Sequence, residues 1–411
     1  MFCVFKSNSP ISILRKAAAF TMLLALLIPL MSGVSAYAES EKLQFDENGE
    51  FKILIVADAQ DIDKPQKATL KMLEASLDAA NPDLVVFLGD DVYGNIIGND
   101  EAATKAAIDA IIQPVAERNL PFALVFGNHD DQGGVSKETQ LAYYQSFPNC
   151  MALDSGELSG CGNYTLPIYD SVGKKAIFNL WFFDSGTYDE ERKGSYAYVK
   201  QDQIDWYISQ SEALREANGG QDLPSFAFQH IPVPEIYDML SVVPKGTQGA
   251  VRGHGSFSDR YYVLNPEYIS GGNIGEGPCP PDFNSGEFDA WKQQGNILAA
   301  FFGHDHVNDF SGSLEGIDLV MTPGTGFYEY GNGDRHGTRL ITLHESELNS
   351  YDSKLLYYFD IVGEPPQGLS PIIGARFEKL IIIGIGVLLA LAVGVTLLCT
   401  HLKKEGRQRC E

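Results

Sequence analysis

Phe51-Lys52-Ile53-Leu54-Ile55-Val56-Ala57-Asp58-Ala59-Gln60 is the stretch from which the rest of the chain can be read. Its apolar run is too short for a helix and lacks a helical period, so it reads as a buried strand ending on a carboxylate. The pattern recurs: Leu84 to Leu88 ends in Gly89-Asp90, and Phe122 to Phe126 ends in Gly127-Asn128-His129-Asp130. Between the first two strands, Asp63 and Pro65 offer an N-cap and a first-turn proline for a helix reaching about Ala80. A second helix is predicted over roughly Glu101 to Arg118. Strand, helix, strand, helix, strand implies βαβ units and a largely parallel sheet.

Downstream the chain is richer in strands, predicted at about 162–170, 175–183, 225–229, 297–302, 317–322 and 337–343. One helix near 200–217 interrupts them. Two sheets packed face to face with helices outside accommodate this order. Pro365-Pro366 and Pro371 mark residues 346–379 as a juxtamembrane segment that ends the domain.

The two ends carry their own signals. Arg15 and Lys16 precede an apolar run from Ala17 to Leu30, and Ala36-Tyr37-Ala38 supplies a small-residue cleavage site. Residues 1–38 therefore read as a secretory signal peptide, with a retained anchor as the alternative. Leu380 to Leu402 is a long run without a formal charge, followed at once by Lys403, Lys404, Arg407 and Arg409. Residues 380–402 are predicted to span a membrane, with 403–411 as a cytoplasmic tail and the body outside. The formal net charge is −24, and both ends are net basic, so the body is more acidic still. That argues against nucleic acid as a partner. An anionic substrate would need a local positive centre, which metal ions supply. Cys150, Cys161 and Cys279 remain in the body; the short loop favours a Cys150–Cys161 disulfide, with Cys279 free.

The polar clusters all follow apolar strands. They are Asp58 with Gln60, Asp90, Asn128 with His129 and Asp130, His230, and Gly303-His304-Asp305-His306. Ligands in α/β sheets bind outside the carboxyl ends of strands. Singly, each cluster reads as a turn or a loop cap; together, in this order, they read as one site. Carboxylate, imidazole and amide oxygen suit Mn, Fe or Zn.

In that order, D-x-[HQ], G-D-x-x, G-N-H-[DE], a lone His and G-H-x-H resemble the signature of the calcineurin-like metallophosphoesterases. The resemblance covers about residues 51–344. His230-Ile231-Pro232-Val233-Pro234-Glu235 and Gly303 to Phe310 resemble more narrowly the purple-acid-phosphatase-related branch. It implies an α/β, four-layer αββα sandwich over 45–345 and a centre of two divalent or mixed-valence ions (Mn, Fe or Zn). One ion would be held by Asp58, Gln60, Asp90 and His306, the other by Asp90, Asn128, His230 and His304. Asp90 would bridge, and hydroxide generated at the metals would attack phosphorus in line. His129 would protonate the leaving oxygen, oriented by Asp130.

Gln60 stands where most of the resembled family has His. Purple acid phosphatases place a tyrosine ligand in G-D-x-x-Y, and Tyr93 has that spacing; the alternative is a tyrosine packed in a turn before Gly94. Arg252 and Arg335 in Gly-rich loops are candidates to fork onto a phosphate, or solvated loop residues, as are His254 and His336. The expected substrate is a phosphorylated small molecule or surface group, a phosphomonoester before a diester or nucleotide. A surface metal-binding protein without turnover, for which Gln60 is the hint, is the non-enzyme alternative.

Overall fold

The computed structural model describes residues 42–331 and 333–364. The chain begins its body as β1 (Glu50–Val56), α1 (Lys67–Ala80), β2 (Leu84–Phe87), α2 (Glu101–Glu117) and β3 (Phe122–Leu124). α3 (Lys137–Tyr144), β4 (Tyr164–Tyr169), β5 (Ala176–Phe182), α4 (Gln201–Ala217) and β6 (Ser225–Phe228) follow. Short strands β7 (Leu240–Val243), β8 (Val251–Arg252), β9 (Tyr261–Leu264) and β10 (Ile269–Gly271) precede α5 (Glu287–Gln294) and β11 (Ile297–Phe302). The body closes with β12 (Ser311–Leu314), β13 (Ile317–Met321), β14 (Gly337–His344), β15 (Tyr351–Tyr357) and α6 (Tyr358–Val362).

Two sheets carry the architecture, in the orders β15-β14-β1-β2-β3 and β10-β12-β13-β11-β6-β5-β4. β1, β2 and β3 are parallel, as are β13, β11, β6 and β5; the outer strands are antiparallel. β7, β9 and β8 form a small antiparallel sheet of their own.

The second sheet shows why this is a sandwich. Its residues alternate between two cores, as the period of a strand requires. Phe178, Leu180, Phe182, Phe226, Phe228 and Phe301 face the core shared with the first sheet. Trp181, Phe183, Ala227, Ala300 and Phe302 face a second core with Ile204 and Tyr207 of α4 and Phe288 and Trp291 of α5. On the far side, Leu73 and Leu77 of α1 and Ile108, Ile111 and Ile112 of α2 cover the first sheet. The result is a mixed α/β sandwich with helices outside two sheets. Tyr164 rivets the sheets together: its hydroxyl donates to the Leu124 carbonyl at 2.7 Å and accepts from the Leu124 amide at 3.0 Å.

Several expectations change. α1 starts after Gln66, not at Asp63. Asp61 does the capping instead, accepting from the Gln66 amide at 2.9 Å and the Thr69 hydroxyl at 2.8 Å. The body runs past 345: β15 pairs with β14 from Tyr351 to Tyr357, inside the stretch expected to be juxtamembrane. β15 is an edge strand whose first half holds the exposed Asp352, Ser353 and Lys354, so only its second half, from Leu355 to Tyr357, is apolar. Its Tyr351 still touches the Phe226 and Phe301 rings of the other sheet.

Cys150, Cys161 and Cys279 are free thiols, which overturns the expected Cys150–Cys161 disulfide. Cys150 backs onto β3 through the bridge at Phe122, whereas the buried Cys161 gives its amide to Asp184 at 2.8 Å. Closeness in sequence does not bring the two sulfurs together. Among the described residues, no helix is long and apolar enough to cross a membrane. The segments expected at 1–38 and 380–402 lie outside the described residues.

Candidate metal centre

The loops after β1, β2 and β3 of one sheet meet those after β6 and β11 of the other. The site therefore lies where the carboxyl edges of two sheets converge. Backbone bonds stitch the loops: Asp58 N to Gly89 O at 3.1 Å, Gln60 N to Asp90 O at 2.7 Å, Gly303 N to His230 O at 3.2 Å. Asp58, Gln60, Asp90 and His304 all have left-handed backbone, with φ of 48°, 37°, 52° and 73°. Strain of that kind persists only where the surroundings over-determine it, and it clusters at functional sites. A Cβ on Gly127 would run into the Asp90 carboxylate, so only glycine lets Asp90 turn inward there.

His230 Nε2 is the hub. It lies 3.1 Å from Asp90 Oδ2, 3.2 Å from Asn128 Oδ1 and 3.3 Å from His304 Nδ1. Atoms bound to one ion at about 2.0–2.2 Å are separated by about 2.8–3.1 Å along the edges of an octahedron and about 3.3–3.6 Å along those of a tetrahedron. The four side chains are thus spaced as ligands are, and the ligating atoms of Asp90, His230 and His304 fall within 4.8 Å of one another. His230 Nδ1 lies 2.9 Å from the Leu88 carbonyl, which fixes the ring and turns Nε2 into the site.

The partner set is looser. Asp58 accepts from the His304 amide at 3.0 Å and stands 3.5 Å from His306 Nε2. The other His306 nitrogen meets the Tyr330 carbonyl at 2.9 Å, leaving Nε2 to the site. Both amide atoms of Gln60 are buried with no hydrogen-bond partner, as is Nε2 of His304. Buried polar atoms without partners are costly, and here they line one cleft. Of these atoms, Gln60 Oε1 and an unprotonated His304 nitrogen carry lone pairs that a cation would take up.

The electrostatics follow from burial. Burial pushes the Asp58 carboxyl well above its usual range. Asp90 is held well below its own, because His230 and His129 outweigh its burial. Burial disfavours charge on His230, yet Asp90 and Asp58 overcome it and push the imidazole up to about 10. Burial and the neighbouring His230 hold His304 well below the usual histidine range. A metal binds the neutral imidazole, so it would compete with a proton at His230.

His129 sits beside this array, its amide donating to Asp90 Oδ1 at 2.6 Å and its ring lining the cleft. Asp130 does not orient it, contrary to expectation. The Asp130 carboxylate accepts from the amides of Asp90, Val92 and Gly127 at 2.9, 3.0 and 2.7 Å, binding the two loops together. Burial and then Asp90 push its pKa up to about 6. Gln132 takes the orienting role, with Oε1 at 2.7 Å from His129 Nδ1 and Nε2 donating to the Tyr188 hydroxyl at 3.0 Å.

Tyr93 packs in its turn. Its hydroxyl donates to Glu329 at 2.7 Å, and its ring meets His129 edge-on at 5.3 Å. Burial, then Glu329, raises its pKa, and this packing is the arrangement that the packed-tyrosine alternative describes. Neither arginine faces the cleft: Arg252 donates to the Ser258 carbonyl at 2.8 Å, and Arg335 pairs with Asp309 at 2.8 Å. His336 is buried against Phe327 and His254 lies near Tyr196. Tyr196, Glu329 and Tyr330 line the cleft without having been foreseen. They lie on irregular loops, which carry no local period.

A family model described as calcineurin-like phosphoesterase matches residues 51–308. The chain belongs to the calcineurin-like phosphoesterases. Among curated relatives, "Probable inactive purple acid phosphatase 29" of Arabidopsis thaliana is 30% identical over 76% of this chain and 81% of its own length. "Probable inactive purple acid phosphatase 14" of the same plant is 29% identical over 71% of this chain and 74% of its own. Both place the chain in the purple-acid-phosphatase-related branch. The yeast "Phosphatase DCR2" of Saccharomyces cerevisiae is 26% identical over 66% of this chain and 46% of its own length. A solved dimetal phosphatase from Danio rerio covers 75% of this chain and 99% of itself at 13% identity, with a TM-score of 0.45. The calcineurin-like phosphoesterases depend on dinuclear metal centres. The orphaned ligand atoms and the ligand-edge spacing around His230 fit such a centre in this member.

Proposed function

We propose that the chain hydrolyses phosphomonoesters in a metal-dependent reaction, with His129 delivering a proton to the leaving oxygen. The observation that carries this reading is the convergence of Asp90, Asn128 and His304 on His230 Nε2, with His129 on the rim of the same cleft. Asp90, Asn128, His230 and His304 would hold one ion, and Asp58, Gln60, Asp90 and His306 the other. When bound, such ions supply the charge that draws in a phosphoryl group and make water acidic enough to attack it. The remaining work falls to the chain. An amide oxygen can only accept, so Gln132 Oε1 keeps a proton on His129 Nδ1, and the proton delivered to the leaving oxygen is the second one, carried on Nε2 of the imidazolium, which becomes the neutral ring. Burial of the cleft's inner wall excludes bulk water and strengthens each of these interactions.

The plant relatives' names carry the word inactive, and Gln60 is a weaker ligand than imidazole. Binding without turnover is therefore the second reading. Stripping the full chain with chelator and reloading Mn, Fe or Zn separates them. Metal-restored cleavage of a chromogenic monoester over the matching diester supports the first; near-stoichiometric metal uptake with no turnover on either ester supports the second.

We further propose that the body is exported and tethered, its substrate being a phosphorylated small molecule or surface group. The apolar run before Ala36-Tyr37-Ala38 and the uncharged Leu380 to Leu402 followed by lysines and arginines support this. N-terminal sequencing of the mature protein and protease protection of the C-terminal tail test it.

A further inference from the structure

The cleft over the metal centre has a volume of about 200 Å³. One wall is Tyr196, set edge-to-face on His304 at 4.3 Å and stacked on the exposed Tyr188 at 5.5 Å. Tyr330 also lines the cleft, stacked on His306 at 4.4 Å. Glu276 holds the Tyr330 hydroxyl with both carboxylate oxygens at 3.0 Å, which enriches that ring in electrons. Glu329 lines the same cleft, next to Tyr330 in the chain. Its partners are the Tyr93 hydroxyl at 2.7 Å and the Tyr330 amide at 2.9 Å, both uncharged, so its negative charge stands uncompensated by them. Among the described residues that line the cleft there is neither lysine nor arginine. Arg252 and Arg335 spend their hydrogen bonds on Ser258 and on Asp309 and Tyr357.

Two groups of opposite preference thus share one small cleft. The metal centre takes a phosphoryl dianion, while the rest of the cleft is lined by two tyrosine rings and the Glu329 carboxylate. Aromatic faces attract cations, and a carboxylate in a partly desolvated cleft repels a second anion. We propose that this cleft selects phosphomonoesters whose alcohol carries an ammonium group, and that Glu329, Tyr196 and Tyr330 form the subsite that reads it. The inference rests on the phosphoesterase reading above and deepens it. Nucleoside di- and triphosphates and other polyanions are disfavoured by the same carboxylate, in keeping with a chain of net charge −24.

Non-hydrolysable phosphonates of matched size separate recognition from chemistry. 2-Aminoethylphosphonate, propylphosphonate and 2-carboxyethylphosphonate carry a distal cation, nothing and an anion. Binding to the full-length, Mn-loaded chain is read by calorimetry and by thermal shift. At an effective dielectric of about 20–40, a unit charge roughly 6–7 Å from a carboxylate changes affinity by roughly tenfold or more. The amino compound should therefore bind about tenfold tighter than propylphosphonate, and the carboxy compound about tenfold weaker. Glu329→Gln should bring the three within about threefold, and Tyr330→Leu should weaken the amino compound alone by a few-fold. Equal or inverted ordering in the parent chain, or ordering that survives Glu329→Gln, overturns the subsite while leaving the phosphoesterase reading intact. Absence of metal-dependent binding by all three overturns that reading and the subsite with it.

Discussion

Glu287 opens α5 and is buried directly beneath Gln229, the residue before His230. The Gln229 amide donates to Glu287 Oε2 at 3.4 Å, and Glu287 Oε1 is buried without a partner. Burial pushes the carboxyl up from 4.5 to about 8. The folded protein therefore keeps this proton to about pH 8, whereas the unfolded chain loses it near 4.5. Between those values the unfolded state binds fewer protons, so stability falls as pH rises, by about 1.4 kcal/mol per pH unit. From pH 4.5 to 7 that amounts to roughly 3 kcal/mol, less whatever the helix N-terminus gives back to the ionised form. Glu287→Gln mimics the protonated carboxyl at every pH. The variant should match the parent in urea unfolding near pH 4.5 and exceed it by about 2–3 kcal/mol near pH 7.5. Other titrating groups cancel in the difference between the two proteins at each pH. A difference independent of pH, or a variant less stable at pH 7.5, would refute the assignment of a neutral, buried Glu287.

The metal centre yields sharper tests. Asp90→Ala removes the group that faces His230 at 3.1 Å, so metal content by elemental analysis should drop to background and turnover with it. His129→Ala should keep the metals and lower kcat by about 10²–10³-fold. Gln132→Ala, which only frees the ring, should cost less and shift the pH profile of kcat; an unchanged profile would remove Gln132 from its orienting role. Gly127→Ala drives a methyl group into the Asp90 carboxylate, so metal affinity should collapse while far-ultraviolet circular dichroism stays native. Gln60→His replaces an unpartnered amide by an imidazole and should tighten the weaker metal site by about tenfold in a chelator competition.

Much of the site was legible in the primary structure because strand ends are marked locally. Val56, Phe87, Leu124, Phe228 and Phe302 each close a buried strand, and the polar residues just beyond them fall at the rim where ligands bind. Asp58, Asp90, Asn128, His230, His304 and His306 are brought together there. Asp130 was misread because sequence adjacency to His129 suggested contact. In the turn its side chain points back to the amides of Asp90, Val92 and Gly127. Tyr93 had the spacing of a ligand, yet its hydroxyl is taken by Glu329, more than two hundred residues away in the chain.

A local pattern of apolar runs, caps and glycines is enough to decide strand, helix and turn, and with them the order of the ligand loops. It also marks Gln60 as unusual, since a side chain's chemistry is written in its identity. The convergence of rims from two different sheets, the free state of Cys150 and Cys161, and the edge strand after Leu343 depend on contacts between distant segments. The acidic, aromatic cleft of Tyr196, Glu329 and Tyr330 depends on them too. Such contacts have no local period, because irregular loops are held by whatever packs against them rather than by their own hydrogen bonds.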